Sequence, residues 1–217
     1  MDELKGQRAG GPKGRRAPLV AVYADESCLG NGREGANPGG AGVLIEYQTG
    51  KGTLVRRDLW VSEPATTNNR MALRSVIETF RALDAKGNRF RVVFTTDSRY
   101  IVDGMTQWVH GWARKGWKRE GGAIENLALW YEALRAAGPH AVEWRWVRGH
   151  DGHAQNEYAN ELATGAAARQ DASAGTVASA FDAWRESAPR KAQHLEPFPS
   201  ADDFAPARAL PVPNQLL

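Results

Sequence analysis

Cysteine is almost absent. Cys28 is the single thiol in 217 residues, so no internal disulfide framework can staple the fold, which suits a reducing compartment; a cytoplasmic location is expected. Long apolar runs are absent too, none approaching the roughly 20 residues of a membrane span, so no membrane partner is expected. Met1-Asp2-Glu3-Leu4-Lys5, followed by Gly, Arg, Lys and Pro, has neither the apolar core of a secretion signal nor the acid-free character of a transit peptide. No internal repeat is found. A large charge excess is also missing: 28 Lys and Arg against 25 Asp and Glu leave a formal +3, with a pI near 9.1. Global charge is therefore only a modest argument for a polyanionic partner.

What the chain has is apolar material and a particular placement of charge. Hydrophobic residues make up 42% of it and eight are Trp, enough for one compact domain with tails. Residues 1–17 are Gly-rich and basic (Lys5, Arg8, Lys13, Arg15, Arg16) without apolar periodicity, the pattern of a flexible arm. A second basic set, Arg114, Lys115, Lys118 and Arg119, surrounds Trp112 and Trp117 inside the domain. The plain reading of either set is a solvated surface, and the arm reads equally as that or as a contact for a polyanion. Residues 169–217 are rich in Ala, Ser and Pro; they are expected to be largely disordered, with one short amphipathic helix around Val177, Phe181 and Trp184.

Between these tails, residues 18–168 alternate strand and helix patterns. Strands are expected at Leu19 to Asp25, Ala41 to Tyr47, Thr53 to Trp60, Arg91 to Thr95 and Val142 to Val147. Thr67 or Asn68 can cap a helix whose Leu73, Ile77, Phe80 and Leu83 recur at helical spacing. Further helices are expected from Ser98, near Ile124 to Ala136, and after His153, the last fraying near Gly165. Hairpins followed by strand-helix-strand crossovers give an α/β fold, a mixed five-stranded sheet flanked by helices. Asp25 and Asp97 each end an apolar strand run, so two acids meet at one sheet edge and invite a divalent cation.

Five segments occur in order: Asp25-Glu26-Ser27-Cys28-Leu29-Gly30-Asn31, Thr66-Thr67-Asn68-Asn69-Arg70-Met71, Thr96-Asp97-Ser98-Arg99-Tyr100, the aromatic-basic run from Trp108 to Lys118, and Gly149-His150-Asp151-Gly152-His153 followed by Asn156, Glu157 and Asn160. From about Leu19 to Ala168 the chain resembles type I ribonuclease H. The resemblance implies a ribonuclease H-like fold and metal-dependent endonucleolytic hydrolysis of the RNA strand of an RNA/DNA hybrid, with Mg²⁺ or Mn²⁺ as cofactor and a monomer as the working unit. The family's four acidic positions fall on Asp25, Ala72, Asp97 and Asn160, and its mobile-loop histidine on His150.

Two of the four acids are thus missing. Two aspartates supply two negative charges against the four of two Mg²⁺ ions, so at most one ion, weakly held, is expected without substrate, with Asn160 as a weak oxygen ligand and Ala72 offering none. Strongly impaired catalysis is the resulting expectation. Glu26 is an alternative third acid, yet neighbouring strand residues face opposite sides, which argues against it. Glu157 shares a helix face with Asn160, but its matching family position is acidic alongside the catalytic acid, and Glu78 faces away from Ala72. His153 is expected to fix the helix start. The resemblance further places Asn31, Asn68, Asn69 and Arg99 at the hybrid's minor groove or sugar edges, and Thr67 at a DNA phosphate. Trp112, Arg114, Lys115, Lys118 and Arg119 fall on the family's basic protrusion, the cations as phosphate contacts. Three classes therefore stand: a hybrid-binding protein with weak or no hydrolysis, an active ribonuclease with a reorganised metal site, and a non-catalytic scaffold whose arm or tail meets a partner.

Overall fold

A computed structural model describes residues 7–8, 16–30 and 37–213. Its elements in chain order are β1 (Gln7–Arg8), β2 (Leu19–Cys28), β3 (Gly39–Gln48), β4 (Leu54–Glu63), α1 (Asn68–Asp84), β5 (Asn88–Arg89), β6 (Arg91–Thr96), α2 (Arg99–Asp103), a π-helical turn at Gly104–Trp108, α3 (Val109–Arg114), α4 (Leu127–Ala137), β7 (Ala141–Trp146), α5 (Ala154–Arg169), β8 (Val177–Ala178) and α6 (Phe181–Ser187). The main sheet has the order β7-β6-β2-β3-β4-β8, and β1 pairs separately with β5. Antiparallel β2–β3–β4 is the expected hairpin unit, and β6 and β7 join it in parallel through helical crossovers.

All five expected strands are present, and a sixth, β8, comes from the tail. On one face, α1 and α4 close a core that includes Val22, Ile45, Ile77, Phe80, Phe94 and Trp130. The other face is covered by α5, whose buried positions are mostly small: Ala154, Ala159, Ala163, Ala166 and Ala167. That choice matches β3, where a Cβ on Gly40 or Gly42 would run into α5 backbone at Ala163 and Ala159. Small residues on both sides let helix and strand approach closely, and Gly42 is the cross-strand partner of Asp25. The packing thus brings α5 down onto the site. Rather than fraying near Gly165, α5 runs to Arg169 and ends on left-handed Gln170.

Where a largely disordered tail was expected, the structure runs residues 171–213 along the domain, held at separate anchors. β8 adds to the edge of β4 at Arg57 and Asp58. The buried Asp58 carboxylate accepts from the Tyr158 hydroxyl at 2.6 Å and the Ala180 amide at 3.1 Å. Phe181, fully buried, meets Tyr158 edge-on and Trp184 at a tilt, and the Arg56 guanidinium lies over its ring. Farther on, the Ala205 amide donates to the Glu143 carboxylate and the Ala207 amide to the Val142 carbonyl, which runs the chain beside β7. Composition misses these contacts because each is a single long-range anchor rather than a periodic apolar pattern. The short helix expected here exists, although Val177 lies in a strand before it.

Candidate active site

Parallel pairing of β2 with β6 stops at Ala24↔Thr96. Asp25 is the next residue of β2 and Asp97 the first after β6, so the two acids arrive together at the sheet edge. Glu26 leaves β2 on the face opposite Asp25, as strand alternation requires. Past Thr96, however, no strand backbone walls off one face from the other on this side. The longer Glu26 side chain therefore reaches the Asp97 and Ser98 region, where Ser98 hydrogen-bonds its carboxylate. One oxygen each from Asp25, Glu26 and Asp97 lie within 4.8 Å of one another. Contrary to the expectation from strand alternation, Glu26 reaches the aspartates, because alternation separates the faces only where a neighbouring strand continues.

The Asp25 carboxylate accepts from the Glu26 amide at 2.7 Å and from the Asn156 side-chain amide at 3.4 Å. Burial, then the charges of Asp97 and Glu26, raise its pKa well above the usual carboxylate range, and Glu157 adds to this. Burial and the Asp97 charge push Glu26 up to about 8, against the Ser98 hydrogen bond. Asp97 is raised chiefly by burial, while its own backbone amide and the His150 charge pull it down. Carboxylates that cling to protons through burial and mutual repulsion form a hard-oxygen donor set, and a divalent cation relieves both costs. The residues fit such an ion.

Ala72 is buried in the core on α1 and offers no ligand, its carbonyl accepting the Ser75 hydroxyl at 2.8 Å. Asn160 is half-buried one turn beyond Asn156 on the same face of α5. His150 is exposed, with φ +54, in the loop before α5. Gly149 brings that loop in, since a Cβ there would collide with an Asp97 carboxylate oxygen. His153 is the N-cap of α5, its Nδ1 accepting from the Asn156 amide at 3.3 Å.

Around this centre, Arg99 stacks over the Trp146 ring at 3.9 Å, and the Trp146 indole N–H donates to the Asp97 carbonyl at 2.9 Å. Trp146 is 40% exposed beside the acids and was missed in the sequence, where it reads as one more strand aromatic. Thr67 caps α1, accepting from the Arg70 amide at 3.4 Å, and Asn69 is exposed while the Asn68 side-chain oxygen is buried without a partner. Arg114, Lys115, Lys118 and Arg119 are all exposed. Trp112 packs on the buried Trp130, and with Tyr100, Trp108, Arg119, Ile124 and Glu125 it lines a cleft of about 270 Å³. Asn31 and most of the basic arm lie outside the described residues. Among the described residues, no helix is long and apolar enough to cross a membrane.

A sequence model of the RNase H family matches residues 17–168. The chain belongs to the RNase H family. A "Ribonuclease H" from Caulobacter sp. (strain K31) is 42% identical over 147 residues, covering 67% of this chain and 88% of that protein. One from Halorhodospira halophila is 44% identical over 146 residues, covering 67% and 90%. Among solved structures, the protein described as "LC9-RNase H1, a type 1 RNase H with the type 2 active-site motif" is 70% identical, covers 90% of this chain and 94% of its own, and superposes with a TM-score of 0.85. A foamy-virus (PFV) RNase H domain, 16% identical with a TM-score of 0.58 over 69% of this chain and 94% of its own, shares the RNase H fold. The family match ends where the packed tail begins, whereas the 70% identical RNase H spans nine-tenths of the chain.

Proposed function

We propose that this protein is a divalent-cation-dependent endonuclease that hydrolyses the RNA strand of RNA/DNA hybrids, using Asp25, Glu26 and Asp97 as its acid set. One observation carries the proposal: Glu26 joins the two aspartates within 4.8 Å. The impairment expected from Ala72 and Asn160 counts only two acids, and Glu26 raises the count to three without any residue on α1. The description of the 70% identical relative as carrying an altered active-site motif supports the same reading.

Bound Mg²⁺ or Mn²⁺ would supply an activated water and stabilise the departing oxygen. The chain's own residues do the rest. Asp25, Glu26 and Asp97 would hold the cation, Asn156 fixes the Asp25 carboxylate, and Asn160, a turn away, would offer a neutral oxygen. Three carboxylates fully offset one doubly charged ion but not two, so the free protein would hold one ion and a second would need the charge of the hybrid's phosphate. His150, exposed beside Asp97, moves a proton between the reacting oxygens and solvent. Trp146 and Arg99 give a flat cationic face for sugar or base edges, Thr67, Asn68 and Asn69 flank the hybrid at the start of α1, and the 114–119 cations meet phosphates.

The test is cleavage of a labelled hybrid in Mg²⁺ and Mn²⁺ by the parent protein, Glu26→Gln and Ala72→Glu/Asn160→Asp. An active parent with an inactive Glu26→Gln supports the proposal. Activity confined to the acid-restored double variant selects a hybrid-binding protein without hydrolysis.

A further inference from the structure

After α6 the chain returns to the loop that carries His150. The His194 amide donates to the Gly152 carbonyl at 2.8 Å and the His194 carbonyl accepts from the Ala154 amide at 2.8 Å, a parallel bridge across His153. Two residues on, Glu196 and the fully buried Gln155 exchange a second pair of bonds: the Gln155 side-chain amide to the Glu196 carbonyl at 2.7 Å, and the Glu196 amide to the Gln155 side-chain oxygen at 3.1 Å. The Gln193 side chain packs against Gly152, so a Cβ there would be 3.0 Å from it. His150 and Gly152 both have positive φ, +54 and +78. A loop of that shape has little local preference for a single conformation, and the tail supplies the ladder that selects one.

The Glu196 carboxylate completes the arrangement. It lies 3.0 Å from His153 Nε2, accepts from Arg145 at 3.3 Å and is hydrogen-bonded by the Tyr23 hydroxyl. His153 Nδ1 accepts from the Asn156 amide, so Nδ1 carries no proton, and Nε2 must carry one to donate to Glu196. Glu196 therefore accepts from the same tautomer that caps α5 and fixes the ring in that orientation. The capped Asn156 in turn donates to Asp25, and His150 stands three residues before His153 in the same loop.

We infer that Glu196 is a positioning residue for the proposed hydrolysis: through His153 it locks the His150 loop and the first turn of α5 onto the acid cluster. The inference rests on the proposed function, but its geometry is testable without it. Glu196→Ala should lower kcat about 10-fold or more with KM within about threefold, because the substrate-binding surface is untouched. Glu196→Gln, whose amide oxygen still accepts from Nε2, should recover most of the loss. His153→Asn keeps a good N-cap but breaks the link to Glu196, so it should lose as much as Glu196→Ala, and the double variant should lose no more than either. Should Glu196→Ala fail to fold, Glu196→Gln and His153→Asn carry the test, with parent-like kcat in His153→Asn overturning the inference. Additive losses overturn it, as does Glu196→Gln no better than Glu196→Ala. Histidine ¹⁵N spectra and amide exchange across residues 149–154 provide the readout independent of activity. In Glu196→Ala the His153 Nε2–H loses its acceptor, so the Nε2 resonance should shift and the loop amides should exchange faster. An inactive parent overturns the proposed hydrolysis alone. In that case an unchanged Nε2 resonance and unchanged exchange overturn the inference as well.

Discussion

Replacing Glu26 by Gln separates its two properties, ligand and buried charge. The parent carboxyl is raised to about 8 from 4.5 by burial and by Asp97. The folded state thus holds this proton more tightly than the unfolded chain. Its share of stability is complete below about pH 4.5 and is lost as pH rises through about 8. A gap of three to four units at ~1.36 kcal/mol each, discounted for partial solvation, amounts to on the order of 2–4 kcal/mol. Glutamine does not ionise and avoids that loss. In EDTA, Glu26→Gln should melt with the parent at about pH 5 and about 5–10 °C above it at about pH 9, at ~2–4 °C per kcal/mol for a chain of this size. Saturating Mg²⁺ should reverse the order by stabilising the parent more, and hybrid cleavage by the variant should fall on the order of a hundredfold or more. Differential scanning fluorimetry at the two pH values and initial cleavage rates are the assays. An equal melting difference at both pH values, or cleavage within about threefold of the parent, would refute the reasoning.

Four further outcomes are expected. Titration calorimetry without substrate should find one weakly held Mg²⁺, and two well-occupied ions would contradict the charge balance of three carboxylates. Gly149→Ala should cut cleavage on the order of tenfold or more by forcing the His150 loop off Asp97, visible as a fall in kcat in a folded protein. Neutralising Arg114, Lys115, Lys118 and Arg119 together should weaken hybrid binding and reduce its log–log salt slope by about 3, with an unchanged slope assigning them to the solvated surface. Tyr158→Phe leaves the buried Asp58 with one fewer donor and should destabilise by about 1–3 kcal/mol, read as a lower melting temperature with cleavage retained at 25 °C.

Much of the domain was legible because its signals are local. The runs before Asp25 and Asp97 declare buried strands, Thr67 and His153 sit where helix starts need acceptors, and α1's apolar positions repeat at helical spacing. Glu26 was misjudged because alternation is a property of one strand, while the side a carboxylate can reach depends on where its neighbour ends. That depends on Thr96, more than 60 positions away in the chain. The tail was illegible for a related reason. Asp58 with Tyr158 and Ala180, and Glu196 with His153 and Gln155, are single polar anchors between distant segments, and a Pro- and Ala-rich composition carries no trace of them. Trp146 could have been flagged by its position at the end of the last domain strand, level with Thr96 in register.

During synthesis Asp25, Glu26, Asp97, His150 and all of α5 emerge before His194. The sheet, with its acids already gathered, can therefore form on a nascent chain whose latch has not yet been made. If the His150 loop needs that latch, competence to cut nucleic acid arrives after folding of the domain, as a separate and later event. A chain released between Ser187 and His194 would keep β8, α6 and the buried Phe181 but lack the latch, so the tail's last stretch marks that translation has run past the domain's own core.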